Sequence, residues 1–130
     1  MKNDFEMKNE ELKMKNNLIQ EKSFDFAIRI VNLYKYLKDD KKEYVLSKQL
    51  LRSGTSIGAN IEEGIGGQSK KDFIAKLQIS LKETREAHYW LRLLKATNYL
   101  TENETKNILT ECEDIRNILT AILKSSKANS

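Results

Sequence analysis

The chain has 130 residues, 39% hydrophobic and 32% charged, with no proline, five glycines, one cysteine and one histidine. That length holds one domain and buries a core without disulfides or metal. The single thiol, Cys112, excludes an internal disulfide and fits a reducing compartment. No run of about 18 apolar residues is available to span a membrane, and the acidic, polar start is unlike a signal peptide, so the expected location is the cytoplasm.

The net charge of +4 is unevenly placed: residues 1–68 carry +1, residues 69–98 carry +4 and residues 99–130 carry −1. A clustered basic segment points either to a polyanionic partner or to a solvated lysine-rich face.

In chain order, residues 1–18 mix Lys, Asn and Glu with scattered Met and Leu and read as a flexible arm. A helical bundle is expected over residues 19–125, with 126–130 a disordered tail. The first helix is expected over residues 21–37, where Phe26, Ala27, Ile30, Val31, Tyr34 and Leu37 recur every three or four residues. Asp39-Asp40-Lys41-Lys42 then makes a charged turn.

The second helix is expected over residues 44–64, with Leu46, Leu50, Ile57 and Ile61 as its core line. Gly54 and Gly58 interrupt it, each costing about 1 kcal/mol of helix propensity against alanine. Close approach of a neighbouring backbone along that side would repay the cost. Gly64-Ile65-Gly66-Gly67 ends the helix. The loop that continues to Lys71 has some likeness to a phosphate cradle, but it lacks the Gly-Lys-Ser/Thr ending and follows no strand, so it reads as loop and cap.

Ser69 with Asp72 caps a third helix reaching to about residue 97, and Thr101 with Glu104 repeats the pattern for a fourth. The fourth carries Ile108, Cys112, Ile115, Leu119 and Ile122 at spacings of 4, 3, 4 and 3, a heptad seam suited to shallow crossing. Long helices joined by short links predict an all-α, antiparallel up-down four-helix bundle.

Stepping 100° per residue along the third helix separates three faces. Phe73, Leu77, Ser80, Leu81, Thr84, Ala87, Leu91 and Leu94 form the core face. Roughly 140° away by the same rotation, Lys71, Gln78, Lys82, Arg85, Tyr89 and Arg92 form a basic stripe. The third face holds Ile79, Glu83, Glu86, Trp90 and Leu93. Either another helix of the same bundle or another subunit covers it, and the enrichment of interfaces in Trp favours a subunit. With Asn60 and Glu63, these five residues are the candidate oligomer interface.

The glutamates do not complete a di-iron pattern, which needs a Glu-x-x-His on each of two helices: the residue three before His88 is Arg85, and there is no second histidine. They are expected instead to pair with Arg52, Arg85 or Asn60. His88 reads as a satisfied structural histidine and Cys112 as a small apolar core residue. No nucleophile–base arrangement is suggested, so the expectation is a protein that is not an enzyme and holds no cofactor or metal.

One further pattern stands out. Gln49-Leu50-Leu51-Arg52-Ser53-Gly54-Thr55-Ser56-Ile57-Gly58-Ala59-Asn60-Ile61-Glu62-Glu63-Gly64 is very similar to the signature of the bacterial four-helix-bundle family named after the 23S rRNA intervening sequence. Lys71-Asp72-Phe73 and Leu81-Lys82-Glu83-Thr84-Arg85-Glu86-Ala87-His88-Tyr89-Trp90-Leu91 resemble its second signature. The resemblance covers about residues 20–125. It implies a four-helix protomer, a homopentameric ring, and kinship with a basic nucleic-acid-binding accessory partner of the reverse transcriptase in diversity-generating retroelements.

Two functions follow as expectations. One is a homo-oligomer binding RNA or DNA through Lys70, Lys71, Lys82, Arg85, Tyr89 and Arg92, with phosphate contacts and stacking on the tyrosine. The other is a protein-interaction or scaffold module without nucleic-acid affinity, whose partner could be a polymerase such as a reverse transcriptase.

Overall fold

The apolar periodicity becomes four helices. The computed structural model describes residues 2–128, with α1 at Asp4–Asp39, α2 at Leu46–Ile65, α3 at Lys70–Ala96 and α4 at Glu102–Ala128. No strand occurs among the described residues. Helix α2 packs on α1 and α3, and α4 closes the arrangement against α3 and α1. Neighbours in sequence are therefore neighbours in space, and α1 lies diagonally opposite α3.

The heptad seam of α4 is buried throughout, from Ile108 through Cys112, Ile115 and Leu119 to Ile122. Facing it are Phe26, Ile30 and Leu37 from α1, Leu50, Ile57 and Ile61 from α2, and Leu77, Leu91 and Leu94 from α3. The flanking Ala27, Val31, Tyr34, Phe73 and Leu81 are only half-buried. Ser80, in the core face of α3, donates its hydroxyl to the Ile57 carbonyl of α2 at 2.9 Å. A small polar residue thus lets α3 lie close to α2 without leaving a buried hydroxyl unpaired.

Two boundaries differ from expectation. Helix α1 begins at Asp4 rather than near residue 21, so residues 4–18 are helical. They carry no apolar period of their own, but Asn3 caps them by accepting from the Glu6 amide at 2.8 Å. Lys2 pairs with Glu10, and Leu12 reaches the core. Extending an existing helix costs far less than nucleating one, so good helix formers without glycine suffice. At the other end α4 runs on to Ala128 and buries Ser126; of the expected tail, residues 129–130 lie outside the described residues.

The caps follow sequence chemistry. Ser69 Oγ accepts from the Asp72 amide at 3.1 Å. Thr101 and Glu104 form a reciprocal capping box, with the Thr101 amide donating to Glu104 Oε1 at 2.8 Å and the Glu104 amide donating to Thr101 Oγ1 at 3.1 Å. Helix α3 ends in a Schellman motif, with the Tyr99 amide donating to the Leu94 carbonyl and the Asn98 amide to the Lys95 carbonyl. Asn98 takes the left-handed conformation at φ 68°, which Asn tolerates better than most residues.

Glu43 starts α2 in a way the charged turn does not advertise. Its buried carboxylate accepts from the amides of Val45 at 3.2 Å, Leu46 at 3.1 Å and Ser47 at 2.7 Å. Burial pushes its pKa up, but those amide donors together outweigh burial and hold the carboxyl below the usual range.

Gly54 and Gly58 repay their propensity cost at the α1 crossing. A β-carbon on Gly54 would stand 2.8 Å from Ile30 Cγ1, and one on Gly58 would stand 3.3 Å from Ser23 Oγ. Gly54→Ala is therefore expected to destabilise the protein by about 1 kcal/mol, the overpacking loss exceeding the propensity gain. In an Ile30→Ala background the same change should become neutral or stabilising. Urea titrations of the four proteins check this, and a more stable Gly54→Ala single variant would contradict it.

Glu43→Gln is expected to cost about 1–2 kcal/mol at pH 7 by removing a charge-assisted cap. Because the folded pKa lies below the unfolded one, the stabilisation is complete above the unfolded value of about 4.3 and is lost as pH falls through the folded value. The gap between parent and variant should therefore shrink on acidification; a gap independent of pH would contradict the assignment.

Candidate functional site

Helix α3 presents the three faces its rotation predicts. Leu77, Ser80, Thr84, Ala87, Leu91 and Leu94 are buried, while Lys71, Gln78, Lys82, Arg85, Tyr89 and Arg92 are all exposed. The basic stripe is thus the outward side of the helix, from its first turn to its last. Lys70 is exposed at the same N-terminal end, where it and Lys71 border a shallow hollow of about 480 Å³ floored by Ile74 and Ala75.

Two residues of the stripe are held in place. Arg92 donates from Nε to His88 Nδ1 at 3.1 Å, and its guanidinium carbon lies 5.8 Å from the centroid of the Tyr89 ring. Since arginine can only donate, His88 Nδ1 accepts, and Nε2 carries the proton given to Glu113 of α4 at 2.9 Å. The histidine therefore has both ring nitrogens satisfied between α3 and α4. Tyr89 remains 49% exposed and meets Trp90 edge-on at 5.1 Å.

The third face turns toward α2, which covers part of it. Arg52 of α2 pairs with Glu83 at 3.2 Å and also with Glu86. Trp90, Glu83, Glu86 and Leu93 are half-buried, whereas Ile79 is exposed. Trp90 packs against the core, and its enclosed indole N–H has no acceptor among the described residues. Of the three partners expected for the glutamates, Arg52 is the one engaged with Glu83 and Glu86. Asn60 instead donates to the Ser56 carbonyl of its own helix at 2.9 Å, Glu63 pairs with Lys76 at 3.0 Å, and Arg85 stays on the outer stripe.

His88 faces α4, while Glu83 and Glu86 face α2, so the carboxylates and the imidazole do not converge. Cys112 donates to the Thr84 carbonyl at 3.4 Å inside the core, where burial pushes its thiol pKa up to about 12. A thiol that stays protonated is no nucleophile.

The model of the 23S rRNA-intervening sequence protein family matches residues 15–121. The chain belongs to that family. A crystal structure from Bacteroides thetaiotaomicron, described as a protein of unknown function from the S23 ribosomal protein family, is 52% identical. It superposes with a TM-score of 0.83 over 85% of this chain and 98% of the other. No match was found among curated proteins. The family match begins inside α1, so the first turns of that helix lie outside it.

Spacing alone does not single out Phe24 and Ile28, exposed on the outer side of α1. The available signal is an apolar pair four residues apart that falls off the Phe26–Ile30 core line. Among the described residues no helix is long and apolar enough to cross a membrane.

Proposed function

We propose that this member of the 23S rRNA-intervening sequence protein family is a non-catalytic protein that assembles with copies of itself and binds RNA or DNA through the outer face of α3. One observation carries the reading: Lys71, Lys82, Arg85 and Arg92 share an exposed face that holds no acidic residue. Glu83 and Glu86, on the adjoining face of α3, are turned toward α2 and share Arg52 as their partner, which offsets one of their two charges and leaves the stripe itself free of carboxylates. Tyr89, exposed within it, is available to stack on an unpaired base. Lys70 adds charge at the end where the α3 amides also favour anions.

A ring of five is the assembly that the family resemblance implies, and it supplies what one protomer lacks. Four phosphate contacts are few for a nucleic-acid binder, and repeating them around a ring converts weak sites into avidity. The face bearing Ile79, Trp90 and Leu93 is the contact between copies, because it keeps apolar surface that α2 leaves partly uncovered.

Binding to single-stranded RNA is expected to weaken with salt at a slope of roughly −0.7 per phosphate contacted. Lys82→Glu/Arg92→Glu is expected to remove about two contacts per protomer and reduce the affinity at least ten-fold at about 0.1 M salt, measured by fluorescence anisotropy. Unchanged affinity would dismiss the stripe as the binding face. No binding by the parent protein would leave the scaffold reading, in which the surface serves a protein partner such as a polymerase.

Ile79→Glu is expected to lower the mass seen by light scattering while leaving the helical circular dichroism intact, since Ile79 is outside the core. An unchanged mass would remove this face from the assembly.

A further inference from the structure

Two arginines of the bundle are held by carboxylates, Arg29 by Glu111 and Arg52 by Glu83 and Glu86. Arg92 is held differently. Its Nε–H donates to Nδ1 of His88 at 3.1 Å and its guanidinium lies against the Tyr89 ring. A carboxylate offsets the charge it fixes, whereas a neutral imidazole and a ring fix the guanidinium and leave its charge uncompensated. With Nε engaged, Nη1 and Nη2 remain to grip two oxygens of one phosphate.

That hold exists for one charge state of His88. The neutral imidazole gives its Nε2–H to Glu113 at 2.9 Å and offers a lone pair at Nδ1. An imidazolium carries a proton on both nitrogens, so Nδ1 would meet the Arg92 donor with a donor of its own, and two like charges would stand at hydrogen-bond distance. Histidine ordinarily changes charge between about pH 5 and 8. The charged groups around this one are Arg85 and Arg92, each a turn away on α3, and Glu113 with Arg116 a turn beyond it on α4. Helix α2 meets the other flank of α3, where Arg52 is engaged with Glu83 and Glu86.

We propose that His88 positions Arg92 for a phosphate while it is neutral and releases it when protonated, making this end of the stripe a pH-sensitive part of the nucleic-acid face. This rests on the reading of the stripe as that face and adds what controls it. Held, Arg92 surrenders little side-chain entropy on binding; released, it must be ordered by the phosphate itself. Because the guanidinium also lies against Tyr89, the phosphate contact and the stacking ring change together. Protonation adds a charge beside the stripe and so raises the general attraction for a polyanion; the share of the affinity that Arg92 supplies is what falls.

Since the chain has one histidine, its imidazole nitrogens are unambiguous by NMR. Without RNA, a nitrogen–nitrogen coupling across the Arg92 Nε–H to His88 Nδ1 bond is expected at pH 7.5 and should vanish by pH 5. Arg92→Gln is expected to weaken binding of a short single-stranded RNA about five-fold at pH 7.5 and less than about two-fold at pH 5, each against the parent chain at the same pH by fluorescence anisotropy. In a His88→Asn background, where the side-chain oxygen stands in the place of Nδ1, the larger loss should persist at both pH values; in a His88→Leu background the smaller loss should appear at both. No coupling at pH 7.5 would overturn the positioning, whatever the RNA results. An Arg92→Gln loss that is equal at both pH values in the parent background, or that stays five-fold in the His88→Leu background, would overturn the control by His88. No RNA binding by the parent at either pH would overturn the nucleic-acid reading and with it the phosphate role of Arg92.

Discussion

At Gly54 a β-carbon would stand 2.8 Å from Ile30, and at Gly58 one would stand 3.3 Å from Ser23, so α1 and α2 cross more closely than side chains would permit. The rest of the bundle depends on that crossing. It fixes the rotation of α2, which places Leu50, Ile57 and Ile61 toward the core and Arg52 toward α3. Ser80 repeats the device on the α3 side, bonding directly to an α2 carbonyl. Helix α2 is therefore a thin central element, with a close neighbour on each side and small residues where each neighbour approaches. Larger residues there would push α1 or α3 outward and open the core, since interiors packed at crystal density do not absorb an added methyl freely.

The rotation of α2 also sorts charge by face on α3. Summed along the chain, residues 69–98 contain Asp72, Glu83 and Glu86 beside their seven cations. In three dimensions Glu83 and Glu86 meet Arg52, and Asp72 sits in the first turn near the cap. The outward stripe is left wholly basic over a helix about 40 Å long. Local field, not net charge, steers a polyanion, so a modest +4 is consistent with a strong one-sided surface.

Much of this was legible in the residues because it is local. A heptad seam, a Thr101–Glu104 box and a Ser69 cap are decided within a few residues of chain, and the three faces of α3 need only the helical period. Other features depend on what lies across space. The spacing of Glu83 and Glu86 left Arg52, Arg85 and Asn60 open as partners, and only the α2–α3 pairing selects Arg52. Glu43 follows the charged turn without a local mark of its role, because the amides of Val45, Leu46 and Ser47 reach its carboxylate only once the start of α2 has formed. The start of α1 was hidden for the opposite reason: residues 4–18 have propensity without amphipathic pattern, and they are helical because the packed part of α1 nucleates them. Phe24 and Ile28 are hard to single out because they fall between the core positions of the same helix, and their exposure is decided by which helices pack against α1.

In the proposed assembly, ring formation and polyanion binding are coupled, and the coupling is reciprocal. The outward stripe and the Ile79–Trp90 face both belong to α3, on adjoining sides of one helix, with Lys82 near the boundary between them. A ring that aligns several stripes raises affinity for a long anion by avidity. By linkage, a long anion then stabilises the ring by the same free energy. Arg85 and Arg92 stand furthest on the stripe from the Ile79–Trp90 face and stay open to a phosphate in an assembled ring. Arg92 is suited to it, because His88 and Tyr89 already hold its guanidinium in place and less side-chain entropy remains to be lost on binding.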